Sequence, residues 1–316
     1  MILTNHAPTT LMVGPFSLPV PTTQALDETF VTAAAAAVAA LPAALKEKLR
    51  AFVTEGDLSG AFVVRGLPLG AVPATPPTPG APTTKDRTSE FTLLTLASAL
   101  GEPVGYAPEH GGQIVQNIVP VQASAAKQVS TSSNVTLEFH TETAFHPYKP
   151  HYLLLLCLRG DPNAATLLCS VSAALDLLET DTAAVLRQPR FRTRPDASFL
   201  ASHDAIGEFG SAIPIITGTA DRPTFTFDAD LMAGIDPVAQ EAIEALRNAV
   251  QLAHVGVVLE AGDLLIVDNH VAVHGRSPFA ARYDGTDRWV QRTFVVDELI
   301  EGAADRDGRV ITTTFR

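Results

Sequence analysis

Metal-binding side chains are concentrated in the segment 137–146, which reads LEFHTETAFH. Its composition is typical of a strand, in which residues two apart point to the same face of a sheet. His140 and Glu142 are therefore expected to reach one ion. An imidazole and a carboxylate suit Fe(II), Mn(II) or Zn(II). Because two ligands are too few for tight binding, we expect a third ligand from elsewhere in the chain.

The segment 262–279, GDLLIVDNHVAVHGRSPF, is where we expect the third ligand, because a strongly apolar strand there is followed by His270 and His274. Either imidazole would complete a set of two histidines and one carboxylate. Such a set, on one face of an octahedron, leaves three positions open and is typical of non-haem Fe(II) oxygenases. We interpret His146 and His151 as packed or surface histidines and leave them out of this set.

The strands that must position these residues lie mainly after residue 112. Short apolar or alternating segments separated by turn residues predict a mainly β protein with a sandwich or jelly-roll core. Two helices are predicted within it, over 171–188 and 236–253. The second has Asp236 as its cap and Pro237 at its first position.

The first third of the chain is predicted to be a flank of helices and strand. We expect a strand over 61–66, a proline-rich loop over 68–83, and a helix that Ser89 caps and Gly101 stops. The alanine-rich run 33–45 is broken by a proline and is too short to span a bilayer. We expect one domain over 1–316, with a flank over 1–112 and a jelly-roll core with helical insertions over 113–316.

The composition indicates which kinds of ligand the protein can bind and in which cellular compartment we expect it. The 316 residues are 46% hydrophobic and carry a net charge of -12, which argues against nucleic acid and anionic membranes and suits a small or cationic ligand. The N-terminus lacks the features of a signal peptide. Cys157 and Cys169 lie in apolar runs, so we expect buried thiols in a reducing cytoplasm rather than a disulfide.

Three segments together resemble the clavaminate synthase-like Fe(II)/2-oxoglutarate oxygenases, closest to the hydroxylases of free arginine, lysine and asparagine: HTETAFHPYKPHYLLLLCLRGD, AATLL and VDNHVAVHGRSPFAARYDGTDRWVQR. The resemblance implies a double-stranded β-helix core that uses Fe(II), 2-oxoglutarate and O2. His140 and Glu142 match the first two metal ligands of that family. His274 matches the distal ligand and is preferred to His270.

The resemblance also implies how 2-oxoglutarate binds. Arg288, in TDRW, matches the arginine that holds its far carboxylate, and Thr166, in AATLL, matches a hydroxyl that contacts the same group. A guanidinium suits that role because its planar fork pairs with a carboxylate through two hydrogen bonds. Alanine or glycine in place of Glu142 would have indicated a halogenase, so the glutamate argues against one.

The substrate implied by the resemblance is a free L-amino acid. Arg292 shares a strand face with the arginine four residues earlier and matches a residue near the substrate α-carboxylate. Gln116 and either Ser132 or Ser133 match positions that contact the amino acid backbone. The second oxygen of Glu142 is expected to meet the amino group.

An acidic pair suggests the substrate side chain. Asp228 and Asp230, in TFTFDADLM, would share a strand face if the strand persists that far. Two carboxylates so close repel each other unless a cation lies between them, although a solvated turn or a helix cap would also explain them. We therefore expect lysine or arginine as the substrate. Because anchoring of its amine and carboxylate near iron would put C3 closest, we expect hydroxylation first at C3 and second at C4, with succinate and CO2 as co-products and no catalytic residue beyond the metal ligands.

Two other functions remain compatible with the metal ligands. The same three side chains could hold Zn(II) and an activated water in a hydrolase or lyase, or belong to a non-catalytic, cupin-like binding module. Arg288 argues against hydrolysis, where it has no evident role. A mobile lid is expected over 200–222, and the sequence does not predict an oligomeric state.

Overall fold

The computed structural model describes residues 6–23, 25–200, 207–299 and 305–313. The α-helices in these ranges are α1 (Glu28–Ala37), α2 (Ala43–Glu55), α3 (Thr88–Ser98), α4 (Val171–Leu175), α5 (Thr180–Leu186) and α6 (Pro237–Ala253). The strands are β1 (Thr9–Met12), β2 (Ala61–Arg65), β3 (Glu102–Tyr106), β4 (Gln116–Ile118), β5 (Leu137–His140), β6 (Tyr152–Arg159), β7 (Ala165–Ser170), β8 (Phe191–Thr193), β9 (Ile216–Gly218), β10 (Pro223–Phe225), β11 (Met232–Gly234), β12 (Val255–Val258), β13 (Leu264–Asp268), β14 (Ala272–Arg276), β15 (Trp289–Val296), β16 (Arg306–Asp307) and β17 (Val310–Ile311).

Two facing sheets form the centre of the molecule. The large sheet has the order β1-β2-β13-β6-β15-β3-β17-β16, with β4 paired to β15, and the small sheet has the order β12-β7-β14-β5. Their inner faces share one apolar core, in which Leu155 and Leu265 of the large sheet join Leu168 and Ala272 of the small sheet. The predicted fold class, mainly β with helical flanks around a jelly-roll core, is confirmed.

Helices α1, α2 and α3 cover the outer face of the large sheet. Phe30, Leu45 and Phe91 from these helices pack into one cluster with Leu154 and Ile266 of the sheet. Strand residues alternate between this cluster and the inner core, as the two-residue period of a strand requires. Among the described residues, no single helix has the length and apolar composition to cross a bilayer; only the bent pair over Glu28–Ala40 and Ala43–Glu55, with a 110° bend, passes that test by length and composition.

The outer face of the small sheet is covered by α4, α5, α6 and two short hairpin-like sheets. Phe139 and Val273 of the small sheet contribute to this cluster, together with Phe191, Ile243 and Leu246. Helix α6 begins as predicted, because the Asp236 side chain accepts from the Ala239 backbone N–H and a proline occupies the first turn. The small sheet is thus held between two apolar layers, so the positions of its side chains are well defined.

Two strands of the predicted flank join the large sheet, where β2 pairs with β13 and β3 pairs with β15. Two predicted helix boundaries were wrong. Ser89 lies inside α3, which begins at Thr88 with Arg87 as its N-cap. The helix predicted over 171–188 is two helices, because the backbone is extended at Glu179. The proline-rich stretch 68–83 contains no helix or strand, as predicted.

The two cysteines are free and buried, as predicted, and no disulfide joins them. Burial raises the pKa of each thiol, Cys157 and Cys169, to about 12. Both thiols are therefore protonated and unreactive at neutral pH.

Candidate active site

Strand pairing brings the three predicted metal ligands together. His140 ends β5 and His274 lies in β14, directly opposite it in the antiparallel ladder, so the two rings lie 4.3 Å apart between centroids. The predicted strand was too long: it ends at His140, and Glu142 lies two residues beyond β5. Its Oε2 is nevertheless 3.4 Å from Nε2 of His274. One ligand atom from each of the three residues lies within 4.8 Å of the others. The spacing suits a single small cation.

Hydrogen bonds orient two of these ligands. Nδ1 of His140 is 2.8 Å from the Glu138 carbonyl, which can only accept, so Nδ1 carries the proton and Nε2 is free to bind a metal. The backbone N–H of Glu142 donates to Oδ1 of Asn269 at 2.7 Å, and Nδ2 of Asn269 donates back to the Glu142 carbonyl at 3.2 Å. Among the described residues, the buried Nδ1 of His274 has no hydrogen-bond partner.

The protonation states fit metal binding. Burial alone would raise the pKa of Glu142, but the Arg292 guanidinium and His274 hold that pKa at about 2. Burial and the neighbouring His140 lower the pKa of His274 to about 4. At neutral pH the carboxylate is ionised and this imidazole is neutral, which are the forms that bind divalent metals. The residues present therefore fit Fe(II).

A second group of residues forms a strongly cationic recess between the sheets. Thr166 in β7 is paired with Arg276 in β14, and Arg288 precedes β15 in the facing sheet. Arg288 is only 8% exposed, and its side chain donates to none of the described residues. Burial lowers the pKa of Arg288, while burial and the charge of Arg288 lower the pKa of Arg276 to about 10.

Neither of these arginines forms a salt bridge with a carboxylate in the described part of the chain. Arg276 donates instead to the Ser132 carbonyl, to the Ser132 hydroxyl at 3.0 Å and to the Val135 carbonyl at 3.0 Å. Two buried guanidinium groups, one of which lowers the pKa of the other, favour a bound dianion. Arg276 was missed by sequence reasoning, although it stands two residues after His274.

Arg292 lies at the centre of a buried polar network next to the metal ligands. It shares the inner face of β15 with Phe294. The strand face that it was predicted to share with Arg288 does not extend that far, because β15 begins at Trp289 with a register shift before Val290. Its Nη1 donates to both carboxylate oxygens of Glu142 at 3.4 Å. Its Nε donates at 3.0 Å to Oε1 of Gln116, which faces it in β4. Gln116 is therefore placed beside the predicted substrate arginine.

Glu109 is the second residue that sequence reasoning missed. Its Oε1 accepts from Nη2 of Arg292, and its Oε2 is buried without a hydrogen-bond partner among the described residues. Burial raises the pKa of Glu109 to about 7, against the opposing effect of Arg292. A single glutamate in GYAPEHGG gives no sign of this contact, which depends on the tight turn that follows it.

The two serines have partners of their own. The Ser132 hydroxyl donates to the Val129 carbonyl at 2.8 Å and accepts from Arg276. The Ser133 hydroxyl is 3.2 Å from the Tyr283 hydroxyl. Ser132 therefore supports the cationic recess, and its predicted contact with substrate stays a prediction.

The expectation that Asp228 and Asp230 share a strand face was wrong. Strand β10 ends at Phe225, and Oδ1 of Asp228 accepts from the backbone N–H groups of Asp230 and Leu231 at 2.8 and 2.7 Å, which closes a turn. Asp228 is buried in a bridge with His140, and burial raises its pKa. Asp230 is exposed and lines a separate cleft of about 360 Å³ with Glu138.

Three further histidines, His146, His151 and His270, are not part of the triad. His146 is a packed histidine, as predicted: its Nε2 is 2.8 Å from the Thr313 carbonyl, and its Nδ1 accepts from the Tyr148 backbone. His270 is not part of the triad and groups instead with His151 and Asp268. The choice of His274 over His270 is therefore consistent with the geometry of the site.

Comparisons with known proteins agree with this geometry. The model of the taurine catabolism dioxygenase TauD/TfdA family matches residues 37–294. The chain is 39% identical over 298 residues to the L-asparagine oxygenase of Streptomyces coelicolor, covering 90% of this chain and 86% of that protein. It is 38% identical over 295 residues to the L-lysine 3-hydroxylase of Catenulispora acidiphila, covering 90% and 81%.

A solved structure shows the same fold with ligands. It is a crystal structure of an asparagine oxygenase in complex with Fe(II), (2S,3S)-3-hydroxyasparagine and succinate, with a TM-score of 0.85, 37% identity, and coverage of 92% of this chain and 93% of that chain.

The fold and the site together define a non-haem iron oxygenase, with two histidines and one glutamate on the inner face of a jelly roll. The chain belongs to the TauD/TfdA family of dioxygenases, among the Fe(II)/2-oxoglutarate-dependent amino acid hydroxylases. The predicted resemblance, enzyme class and cofactors are confirmed, so Fe(II) is the metal and 2-oxoglutarate and O2 are co-substrates. The zinc hydrolase and the non-catalytic module are not supported.

Proposed function

We propose that the protein hydroxylates a free basic L-amino acid, lysine or arginine, at C3, with succinate and CO2 as co-products. The observation that carries the choice of substrate is the buried Asp228 beside the metal ligand His140. Its Oδ1 is used by the turn, but its Oδ2 accepts from none of the described residues. A buried carboxylate with a free oxygen favours a cationic partner.

His140, Glu142 and His274 hold Fe(II) in this proposal. When bound, the metal supplies activation of O2 coupled to oxidation of 2-oxoglutarate and of a substrate C–H bond. Hydrogen bonds orient two of the ligands: His140 donates to the Glu138 carbonyl, and the backbone N–H of Glu142 donates to the Asn269 side chain. Such outer contacts hold ligands in the geometry that the metal needs.

Arg288 and Thr166 bind the distal carboxylate of 2-oxoglutarate. Among the described residues, the guanidinium of Arg288 forms no salt bridge and the charge of Asp161 acts on it only at a distance, so it is available for two parallel hydrogen bonds. Arg276 adds positive charge to the same recess while its own hydrogen bonds hold the backbone at Ser132. The charge balance of the recess therefore favours a dicarboxylate.

The amino acid binds beside Glu142 through its common backbone. Arg292 takes the α-carboxylate, while Glu142, Gln116 and Glu109 surround the α-ammonium group. This arrangement is supported by the contacts of Arg292 with all three of these residues. With both charged groups of the Cα centre anchored next to a metal ligand, C3 is the carbon closest to the metal. The rest of the side chain extends toward Asp228.

The charge of the side chain distinguishes the candidate substrates lysine and arginine from asparagine. The two relatives named above act on asparagine and lysine, by name, so the family accommodates neutral and cationic side chains. A charge-assisted hydrogen bond contributes roughly 1.5 to 3 kcal/mol, or about tenfold to a hundredfold in kcat/KM. A lysine or arginine tail gains this contribution from Asp228, whereas an asparagine amide gains less.

The test is a panel of the twenty amino acids with ornithine and citrulline, assayed for succinate and for products that gain one oxygen atom. We expect lysine or arginine to give the highest kcat/KM, with the hydroxyl on C3 by NMR. Preference for asparagine or another neutral amino acid would refute the acidic pocket, and a hydroxyl on C4 would refute the proposed placement. The cytoplasmic location and the lid over 200–222 stay predictions, and residues 201–206 lie outside the described residues.

A further inference from the structure

A second cluster of metal-binding side chains lies outside the oxygenase centre. His151 immediately precedes β6, and Asp268 ends β13, the strand paired with it, so the two residues come together at one end of the large sheet. His270 lies in the turn between β13 and β14. One ligand atom from each of these residues lies within 4.8 Å of the others, the same limit that the His140, Glu142 and His274 cluster meets.

An outer carboxylate orients this cluster. Oδ1 of Asp297 is 2.6 Å from Nδ1 of His151, so the other ring nitrogen, Nε2, faces Asp268 with its Oδ1 at 3.7 Å. A carboxylate that holds the far nitrogen of an imidazole is the arrangement that accompanies metal-bound histidines. The ring of His270 stacks on that of His151, with centroids 4.5 Å apart. Asp268 is fixed by the backbone N–H of His270 at 2.9 Å.

The charge and exposure of the cluster also suit a cation. Asp268 and Asp297 contribute two carboxylates, against one nearby ammonium group, that of Lys149. The side chain of His151 is 24% exposed and that of Asp268 is 12% exposed. An ion from solvent can therefore reach the ligands, and water can complete its coordination. None of these residues contacts the groups assigned above to iron, 2-oxoglutarate or the amino acid.

We propose that His151, Asp268 and His270 form a second site for a divalent transition metal. Two imidazoles and one carboxylate suit borderline ions such as Zn(II). Asp297 acts as the outer-shell partner of His151. The site shares no ligand with the oxygenase centre. The proposal does not depend on which amino acid the enzyme hydroxylates.

The site is connected to the oxygenase centre through one residue. Asn269 stands between two of the ligands, and its side chain clamps the backbone of Glu142. An ion held by Asp268 and His270 would restrain the turn from which that side chain projects. Occupancy of the second site therefore stabilises the position of an iron ligand without contacting the iron.

Zinc binding to the full-length chain tests the proposal, with Zn(II) as the probe because it has no redox chemistry. The variant His140→Ala/His274→Ala removes both imidazoles of the oxygenase centre. In equilibrium dialysis with metal analysis, we expect it to bind one equivalent and the wild type to bind two. Adding His270→Ala or His151→Gln should abolish binding by the double variant. Asp297→Asn should weaken that binding by about 10- to 100-fold.

Two controls separate loss of a ligand from loss of the fold. His254→Ala, in the same double variant, removes a histidine outside both clusters and should leave one equivalent bound. Circular dichroism melting identifies any variant that fails to fold. If the variant that carries His270→Ala is unfolded, the variant that carries His151→Gln takes its place. The proposal is overturned if the double variant binds no zinc, or if zinc binding survives substitution of both His151 and His270.

Discussion

Arg292 donates to both carboxylate oxygens of Glu142, at 3.4 Å each, so the proposed anchor of the substrate α-carboxylate contacts a metal ligand directly. A carboxylate that binds Arg292 therefore alters the hydrogen bonding of Glu142. Residues in one such network are energetically coupled. The amino acid and metal sites are accordingly parts of one buried polar network, and substitutions in it should affect both.

Arg288→Lys should raise the KM for 2-oxoglutarate by roughly 10- to 100-fold, because lysine keeps the charge but loses the two parallel hydrogen bonds. Steady-state succinate formation at varied 2-oxoglutarate measures the effect. Arg282→Lys changes an exposed arginine six residues earlier and should keep the wild-type KM. An unchanged KM in Arg288→Lys would show that the dicarboxylate binds elsewhere.

Asp228→Asn should lower kcat/KM for lysine or arginine by about tenfold to a hundredfold, since the charge-assisted contact with the tail is lost. Asparagine keeps an oxygen acceptor for the turn, so the fold should survive. Asp230→Asn is the matched control, because this carboxylate is exposed and lies in a different cleft. An equal loss of kcat/KM in the two variants would show that both aspartates contribute to substrate binding, and would contradict the assignment to Asp228 alone.

Glu109→Gln should change how stability depends on pH. Burial raises the pKa of Glu109 from 4.5 to about 7, so the native state binds more protons than the unfolded state between these values. The free energy of unfolding therefore falls as pH rises through this window, by at most about 1.4 kcal/mol per pH unit.

Urea unfolding of the metal-free protein at several pH values in this window measures how the free energy of unfolding changes with pH. Glu109→Gln should remove this contribution, whereas Glu55→Gln, at the exposed end of α2, should retain it. Identical slopes in the wild type and Glu109→Gln would contradict a raised pKa for this carboxyl group.

Asn269→Ala should destabilise the fold by about 2 to 4 kcal/mol, because three backbone groups, of Glu142 and Pro150, lose their side-chain partner at roughly 0.5–1.5 kcal/mol each. The affinity for iron should fall as well, since Glu142 loses its clamp. Chemical unfolding and Fe(II) titration measure the two effects. Asn163→Ala, at an exposed turn, is the control and should change neither the stability nor the iron affinity. If Asn269→Ala is destabilised but binds Fe(II) as tightly as the wild type, the contact of Asn269 with Glu142 does not support metal binding.

The oxygenase centre could be predicted from sequence because two of its ligands lie in one short motif and the third in a segment that resembles a known family. His140 and His274 are directly paired across β5 and β14, and Glu142 follows within the same motif. Helix α6 was likewise predictable, since a capping aspartate and a proline mark its first turn. For helix α6 local spacing in the chain determines the structure, whereas the match of His274 to the iron ligand rested on the resemblance to a family, because the pairing of β5 with β14 is not local.

The remaining parts of the site depend on turns and on distant pairing. Glu109 reaches Arg292 through a turn in which His110 has a φ of 48°, a conformation that residue types do not specify. Asp228 and Asp230 separate because a side chain captures backbone N–H groups and ends the extended chain. The second histidine cluster forms only because β6 and β13 pair, so no local pattern indicates it.

The Glu109 carboxylate accepts from Nη2 of Arg292, so an amino acid whose carboxylate binds Arg292, as proposed above, would enter by ion exchange. An incoming zwitterion replaces one ion pair with two, because its carboxylate takes the arginine and its ammonium takes the released glutamate. A plain carboxylic acid would displace Glu109 and leave that carboxyl group buried without a cation, so that it must take up a proton or stay uncompensated, and either is costly. The lysine analogue that lacks only the α-amino group should therefore compete poorly with lysine in an inhibition assay, and equal competition would rule out the exchange. The enzyme would thus discriminate against simple carboxylic acids before any oxidation begins.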